Sequence, residues 1–276
     1  MALPSDFQFS QSSLQEYVDC PWRFHLRHVQ RLAWPAIVAE PALEHERHLL
    51  QGSDFHHLIH QHELGISAHE LSAVITDEKL RRWWLNYLER GPGGVPEVHY
   101  PEIVLSAPVG SHRLVAKYDL LAVEPGKRAA ILDWKTYRKR RGRRWLEERL
   151  QTRVYPYLLV RAGAHLNEGR PLHPEQVEMV YWFASFPDDP ERFQYDEERC
   201  EQDEAYLNSL IQEIEGLSEE QFGRTADEKR CRFCAYRSLC QRGVRAGDFL
   251  EAEEDRDAED EGEIFLDFDQ IAEIEF

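Results

Sequence analysis

No stretch of eighteen uncharged apolar residues occurs in the 276-residue chain, which excludes a hydrocarbon-spanning helix by length. The opening Met1-Ala2-Leu3-Pro4-Ser5-Asp6 has neither the basic n-region nor the apolar h-region of a secretory leader. The chain therefore reads as soluble and cytoplasmic, with no membrane partner. Cysteine is scarce and odd in number, at five residues, and in a reducing compartment such a set argues against a disulfide framework. No internal repeat is visible. What is present is enough for a packed core: 42 % hydrophobic residues and seven tryptophans rule out wholesale disorder.

The formal charge of −18 looks hostile to nucleic acid, but it is unevenly spread. Residues 248–276 carry fourteen acids against the single base Arg256, whereas residues 1–247 hold 37 acids and 32 bases. Within the latter, Arg138-Lys139-Arg140-Arg141-Gly142-Arg143-Arg144 is densely basic. Net charge governs association rather than fold, so the acidic tail does not exclude a DNA-binding surface elsewhere. The expected organisation is one domain over residues 1–247 and an acidic, flexible tail over 248–276. The tail reads as a solubilising linker. Its closing Ile264–Phe268 and Ile271–Phe276 mix bulky apolar residues with acids, which also suits docking on a partner or on the protein's own basic groove.

Ser13 and Glu16 stand at capping-box spacing, which predicts a helix ending near Asp19, before Pro21. Periodicity predicts helices over 41–64, 77–90, 144–162 and 197–217. Gly91-Pro92-Gly93-Gly94 breaks the chain. Strand character follows at Glu102–Ala107, Arg113–Val123, Ala129–Thr136 and Val177–Phe186. The order helix, strands, helix, strand, helix implies an α/β core with a mixed sheet.

Two constellations carry chemistry. Cys231, Cys234 and Cys240 form a C-x2-C-x5-C cluster, and Cys20 lies in Asp19-Cys20-Pro21-Trp22, far upstream. Such spacing suits a metal or iron–sulfur site better than packing, and a four-thiolate zinc is chemically permitted. Cys200 fits neither segment and reads as a helix thiol. The second constellation is a hairpin. If 124–128 is a five-residue loop, Val123 faces Ala129 and Asp119 faces Asp133, with Cβ atoms roughly 5 Å apart. Lys135 shares the face of Asp133 through the period of two, and an even-length loop would separate the aspartates. Paired carboxylates repel unless a proton or cation lies between them, and a hard dication bound through oxygen, Mg2+ or Mn2+, fits. Lys135 would then stabilise charge on a phosphoryl group or help position water.

With these residues in view, the sequence resembles the RecB-type branch of the PD-(D/E)XK nuclease superfamily. Asp133-Trp134-Lys135 matches the D-x-K half-motif, and Tyr118-Asp119-Leu120-Leu121 matches the preceding metal-binding aspartate. Gly52-Ser53-Asp54-Phe55-His56 matches the G-x-x-x-H helix, which implies His56, rather than His57, His60 or His62, as the third side-chain metal ligand. Gln151-Thr152-Arg153-Val154-Tyr155 matches Q-x-x-x-Y, placing Gln151 and Tyr155 on one helical face, where they would contact a phosphate or flank the nucleophile. Pro156 stands against that helix and implies a bend or a fresh start near 156. Glu102 weakly resembles an acidic residue on the strand before the metal aspartate.

The cysteines resemble those of AddB-type and CRISPR-adaptation RecB-like nucleases, which carry a 4Fe-4S cluster on one N-terminal and three C-terminal cysteines. Phe9-Ser10-x-Ser12-x-Leu14-x-x-Tyr17-x-x-Cys20-Pro21-x-x-Phe24 matches their N-terminal segment. The resemblance thus implies a restriction-endonuclease-like core, its mixed sheet flanked by helices. It also implies an iron–sulfur clasp joining segments 9–24 and 228–243 through Cys20, Cys231, Cys234 and Cys240. Closing a loop of 211 residues would be worth about 5 kcal/mol by chain entropy.

The implied activity is Mg2+- or Mn2+-dependent hydrolysis of DNA phosphodiesters, by an exonuclease that favours single strands or free ends. The implied setting is repair, recombination or CRISPR adaptation, with 5′ to 3′ polarity open. In this reading the run 138–144 tracks the backbone, while Trp134, Tyr137 and Trp145 offer faces for unstacked bases. The alternatives are a non-catalytic iron–sulfur DNA-binding subunit that recruits a helicase or integrase, and a zinc protein acting on RNA.

Overall fold

The computed structural model describes residues 3, 4, 6–32, 40–231 and 234–242, without the side chains of 40–46. The acidic tail and its apolar end lie outside the described residues.

Among the described residues, eight strands and eight α-helices follow in the order β1 (Gln8–Ser10), α1 (Gln11–Asp19), α2 (Pro21–Phe24), α3 (Glu40–Glu63), α4 (Ala68–Val74), α5 (Glu78–Arg90), β2 (Val98–Pro101), β3 (Val104–Val109), β4 (His112–Lys117), β5 (Leu120–Glu124), β6 (Arg128–Lys135), α6 (Arg143–Glu147), α7 (Leu150–Ala162), β7 (Val177–Phe183), β8 (Glu191–Gln194) and α8 (Glu197–Gly216). A π-helical turn at His25–Val29 and short 3-10 turns join some of them. A five-stranded sheet runs β2-β5-β6-β7-β8, mixed as expected, because only β6 and β7 are parallel. A smaller sheet runs β1-β4-β3.

The central strand β6 is buried on both faces, which explains why its sequence does not alternate. On one side Ala129 and Ile131 pack with Val154 and Leu158 of α7 and Ile211 of α8. On the other Ala130, Leu132 and Trp134 pack with Phe55 and Ile59 of α3 and Trp83 and Trp84 of α5. Helices thus flank both faces. Among the described residues no helix is long and apolar enough to cross a membrane.

The run 113–123, expected as one strand, is two strands in different sheets. β4 joins the small sheet and β5 the large one, with the break at Tyr118-Asp119. A matching bend lies opposite, where Glu102 takes the left-handed φ of 55° between β2 and β3. The two bends are stitched by Glu102 N–H to Asp119 C=O (3.0 Å) and Tyr118 N–H to Ile103 C=O (2.9 Å). This corner, where strands change sheets, takes Asp119 out of the ladder. The first helix is capped by Ser10, not Ser13. β1 delivers the chain to Gln11, and Ser10 and Ser13 exchange backbone and side-chain hydrogen bonds. α7 runs through Pro156 unbroken; the helical pattern from 144 is divided instead at 148–149. Strands β2 and β8 and helix α4 are additions, each too short to show periodicity.

Candidate active site

The β5–β6 hairpin sets the site. Val123 pairs with Ala129 as expected, and Glu124 with Arg128, so only Pro125-Gly126-Lys127 remain as the turn, with Gly126 at φ 77°. A three-residue turn with glycine in the left-handed region preserves the odd parity. The ladder ends at Leu120 opposite Leu132. One step beyond, the Asp119 carboxylate accepts the Trp134 N–H at 2.9 Å instead of continuing the strand. On β6 Asp133 and Lys135 share a face and form an ion pair at 2.9 Å, each 3 % exposed.

Two helices complete the cluster from opposite sides of the sheet. His56 of α3 places Nδ1 3.3 Å from Asp119 Oδ1 and Nε2 3.0 Å from the Trp134 carbonyl. A carbonyl only accepts, so Nε2 carries hydrogen; Nδ1 donates to the Asp119 carboxylate when the ring is protonated and offers its lone pair to a cation when it is neutral. From α7, Gln151 Nε2 donates to Asp133 Oδ1 at 2.5 Å. The other three histidines separate from this group: His57 is exposed, His57 and His60 face each other, and His62 packs on Trp84 and Tyr87.

Burial pushes the Asp119 carboxyl up, but His56, the Trp134 N–H and Lys135 outweigh it and hold the group below the usual carboxylate range. It is therefore ionised at neutral pH.

Tyr155 sits one turn deeper, its ring 4.8 Å from that of Tyr118 and its carbonyl accepting the Tyr118 hydroxyl at 2.9 Å. Glu102 pairs with Lys117 at the sheet corner. Two residues absent from the motif reading flank Lys135: the rings of Tyr137 and Tyr181 lie 5.8 and 5.6 Å from its Nζ. Tyr181 stands opposite Asp133 in the parallel β6–β7 register, which no local pattern reveals.

The DNA-facing expectations need correction. Trp134 is 2 % exposed and fills the core against Trp182, and Tyr137 is buried as well, so neither offers a face for a base. In the basic run, Arg140 is bound by Asp189 and Glu191, and Arg143 by Glu191. Arg144 pairs with Glu148 at 3.0 Å, so in-chain acids hold at least three of its cations.

The second constellation also assembles. Cys20, Cys231, Cys234 and Cys240 line one pocket, shared with Trp22, Arg23, Arg230, Arg237 and Arg242. Among the described residues none of the four is in a disulfide. Arg242 Nη1 donates to Cys231 Sγ at 3.0 Å, and burial pushes the Cys240 thiol up, with the other three cysteines adding to it against Arg224. The two chain segments are knitted by Trp22 N–H to Gly223 C=O (2.9 Å), by the Tyr236 hydroxyl to the Leu32 carbonyl (2.7 Å) and by an Asp19–Arg230 ion pair. Arg232 lies outside the described residues. Cys200 sits apart on α8, half-buried against the main core. Among the described residues no three His, Cys, Asp or Glu side chains are gathered closely enough to hold an ion as they stand.

A sequence profile of the PD-(D/E)XK nuclease superfamily matches residues 8–241. No curated protein matches the chain. Fifteen solved chains match its structure. One, designated SSO0001, is 15 % identical with a TM-score of 0.42, covering 86 % of this chain and 87 % of that one. Another, named as a candidate exonuclease from Eubacterium rectale, is 9 % identical with a TM-score of 0.46, covering 79 % and 84 %.

Proposed function

The chain belongs to the PD-(D/E)XK nuclease superfamily, and from that premise we propose that it hydrolyses DNA phosphodiester bonds at the end of β6. The observation that carries this reading is convergence. His56, Asp119, Asp133, Lys135 and Gln151 come from three separate segments and meet within hydrogen-bonding and ion-pairing distances. Their donor set of two carboxylates and one imidazole suits Mg2+ or Mn2+, held by His56, Asp119 and Asp133. Such a cation, when bound, polarises the phosphate and lowers the pKa of water.

The chain's own residues do the rest. The Trp134 peptide orients both His56, through its carbonyl, and Asp119, through its N–H of the same residue. Gln151 fixes Asp133, and Lys135 supplies a positive charge for the phosphoryl group in a nearly dry setting. Within this reading the enzyme is a RecB-like exonuclease that favours single strands or free ends. Cleavage of strands labelled at either end, in Mg2+ or Mn2+, tests it: a shortening ladder from one end is expected, and EDTA should abolish it. No cleavage with any substrate would turn the reading toward a non-catalytic DNA-binding subunit.

The cysteine pocket is read as the seat of a 4Fe-4S cluster on Cys20, Cys231, Cys234 and Cys240. The donors are all sulfur, and the lining arginines offset their charge. Beside them, the buried Trp22 Nε1 and Ser238 Oγ find no hydrogen-bond partner among the described residues, as sites awaiting an acceptor would. Iron and labile sulfide, quantified beside zinc after anaerobic purification, separate this cluster from a structural zinc.

Gly52 gives a further check. A Cβ there would stand 3.1 Å from Thr136 Oγ1, tighter than ordinary contact, so a side chain at 52 would crowd the approach of α3 to the end of β6. Gly52→Val should push His56 away from Asp119 and lower kcat about a hundredfold, the typical cost of a misplacement near 1 Å. Its melting temperature should fall by only a few degrees.

A further inference from the structure

Helix α7 brings Gln151 to Asp133 from its second residue, so the placement of its first turn bears directly on the carboxylate. The first N–H groups of a helix have no partner within the helix itself. Arg149 stands at the N-cap position, and a guanidinium has no acceptor to offer them. The Leu150 N–H is satisfied from 135 residues upstream, where Gln15 Oε1 of α1 accepts it at 3.2 Å. Gln15 is 6 % exposed and Leu150 3 %, and so dry a glutamine is uncommon unless its amide is bonded.

The amide is held in a single orientation. At its other end Nε2 donates to Asp19 Oδ1 at 3.1 Å. A carboxylate only accepts and a peptide N–H only donates, so a flipped amide would lose both bonds. Asp19 is itself fixed by Arg23 Nη2 at 3.1 Å and by the ion pair with Arg230. The same turn of α7 is tied to β7. The Thr152 hydroxyl gives its one hydrogen to the Leu146 carbonyl, so it accepts from the Tyr181 hydroxyl at 2.8 Å. The start of α7 is thus gripped from α1 and from β7.

We propose that Gln15 is a positioning residue for catalysis: it caps α7 from α1 and thereby sets Gln151 against Asp133. This deepens the nuclease reading and rests on it. Gln15 acts through the helix and not on the substrate, so its loss should slow turnover and leave DNA affinity alone.

The test is steady-state cleavage by the full chain in Mg2+, with DNA affinity measured separately in Ca2+. Gln15→Leu keeps the bulk and removes the acceptor. Its kcat should fall about tenfold, a fraction of the roughly hundredfold that a 1 Å displacement can cost. KM and the Ca2+ affinity should stay within about twofold of wild type. Gln15→Glu retains an acceptor and adds a negative charge that a helix N-terminus favours, so its kcat should stay within about threefold. The decisive arm pairs Gln15→Leu with Gln151→Ala. If Gln15 acts through Gln151, Gln15→Leu should cost nothing further in the Gln151→Ala background, whereas independent effects would multiply.

Wild-type kcat in Gln15→Leu, a Gln15→Glu as slow as Gln15→Leu, or multiplied losses in the double variant would each overturn the proposal. If Gln15→Leu does not fold, Gln15→Asn decides, because its amide is one methylene too short to reach the Leu150 N–H. A several-fold fall in its kcat supports the cap, and an unchanged kcat overturns it. If the wild type cleaves nothing in Mg2+ or Mn2+, the nuclease reading falls, and amide hydrogen exchange decides the cap. The Leu150 amide should then exchange about tenfold faster in Gln15→Leu, and an unaltered rate overturns the proposal.

Discussion

Lys135→Ala should lower the cleavage rate about a thousandfold while leaving DNA affinity in Ca2+ close to that of the wild type. Removing one group aimed at developing charge typically costs about 10²–10³ in kcat, and Lys135 works under favourable conditions. It is 3 % exposed, paired with Asp133 at 2.9 Å and flanked by two tyrosine rings, so water competes little for its charge. The substitution also strips a buried carboxylate of a partner, and breaking such a pair can cost about 3–5 kcal/mol. The two effects are separable. If Asp133 is a metal ligand, Mg2+ should raise the melting temperature of Lys135→Ala more than that of the wild type, because the cation replaces the lost ammonium. Lys135→Met, which keeps the aliphatic bulk, should be equally inactive. Cleavage within tenfold of wild type in either variant would remove Lys135 from the mechanism.

How far this site could be read from sequence depended on whether the signal was local. The hairpin parity was legible because a turn and two short runs fix it within twenty residues: Val123 does oppose Ala129, and Asp133 and Lys135 do share a face. The sheet switch at Tyr118-Asp119 was not legible. The run 113–123 is uniformly strand-like, and the break is imposed from a distance by the bend at Glu102. Trp134 misled for a related reason. An aromatic beside a catalytic lysine suggests a stacking platform, but burial on both faces of β6 turns it into core. The same holds for the arginine run, whose acidic partners Asp189 and Glu191 lie about fifty residues away in sequence. Among His56, His57, His60 and His62, it is tertiary packing that brings His56 to the carboxylates.

Cys20→Ser is the second large effect: the melting temperature should fall by roughly 10 °C, iron should be lost, and cleavage should weaken although no active-site residue has changed. Residues 20 and 231 are separated by 211 positions, and the chain-entropy estimate for such a link, about 5 kcal/mol, sets the upper scale. At roughly 2–4 °C per kcal/mol for a chain of this size, the fall could reach about twice the central figure. Native contacts hold part of it back, since Tyr17 donates to Glu213 at 2.6 Å and Trp22 to Gly223 at 2.9 Å with or without the thiol. The path to the active site is short. α1 ends at Asp19 beside the pocket, and its Gln15 accepts the Leu150 N–H at 3.2 Å, fixing the first turn of α7. The next residue, Gln151, holds Asp133. Loosening α1 therefore frees Asp133 to drift, and kcat should drop several-fold with little change in DNA affinity. Cys200→Ser, on α8 and outside the pocket, should melt within about 2 °C of wild type, because the serine hydroxyl keeps a hydrogen-bonding group beside Tyr195, the partner of the thiol. If purified protein carries neither iron nor zinc and Cys20→Ser melts like wild type, the clasp has no physical role. The four cysteines would then be neighbours without a shared ligand.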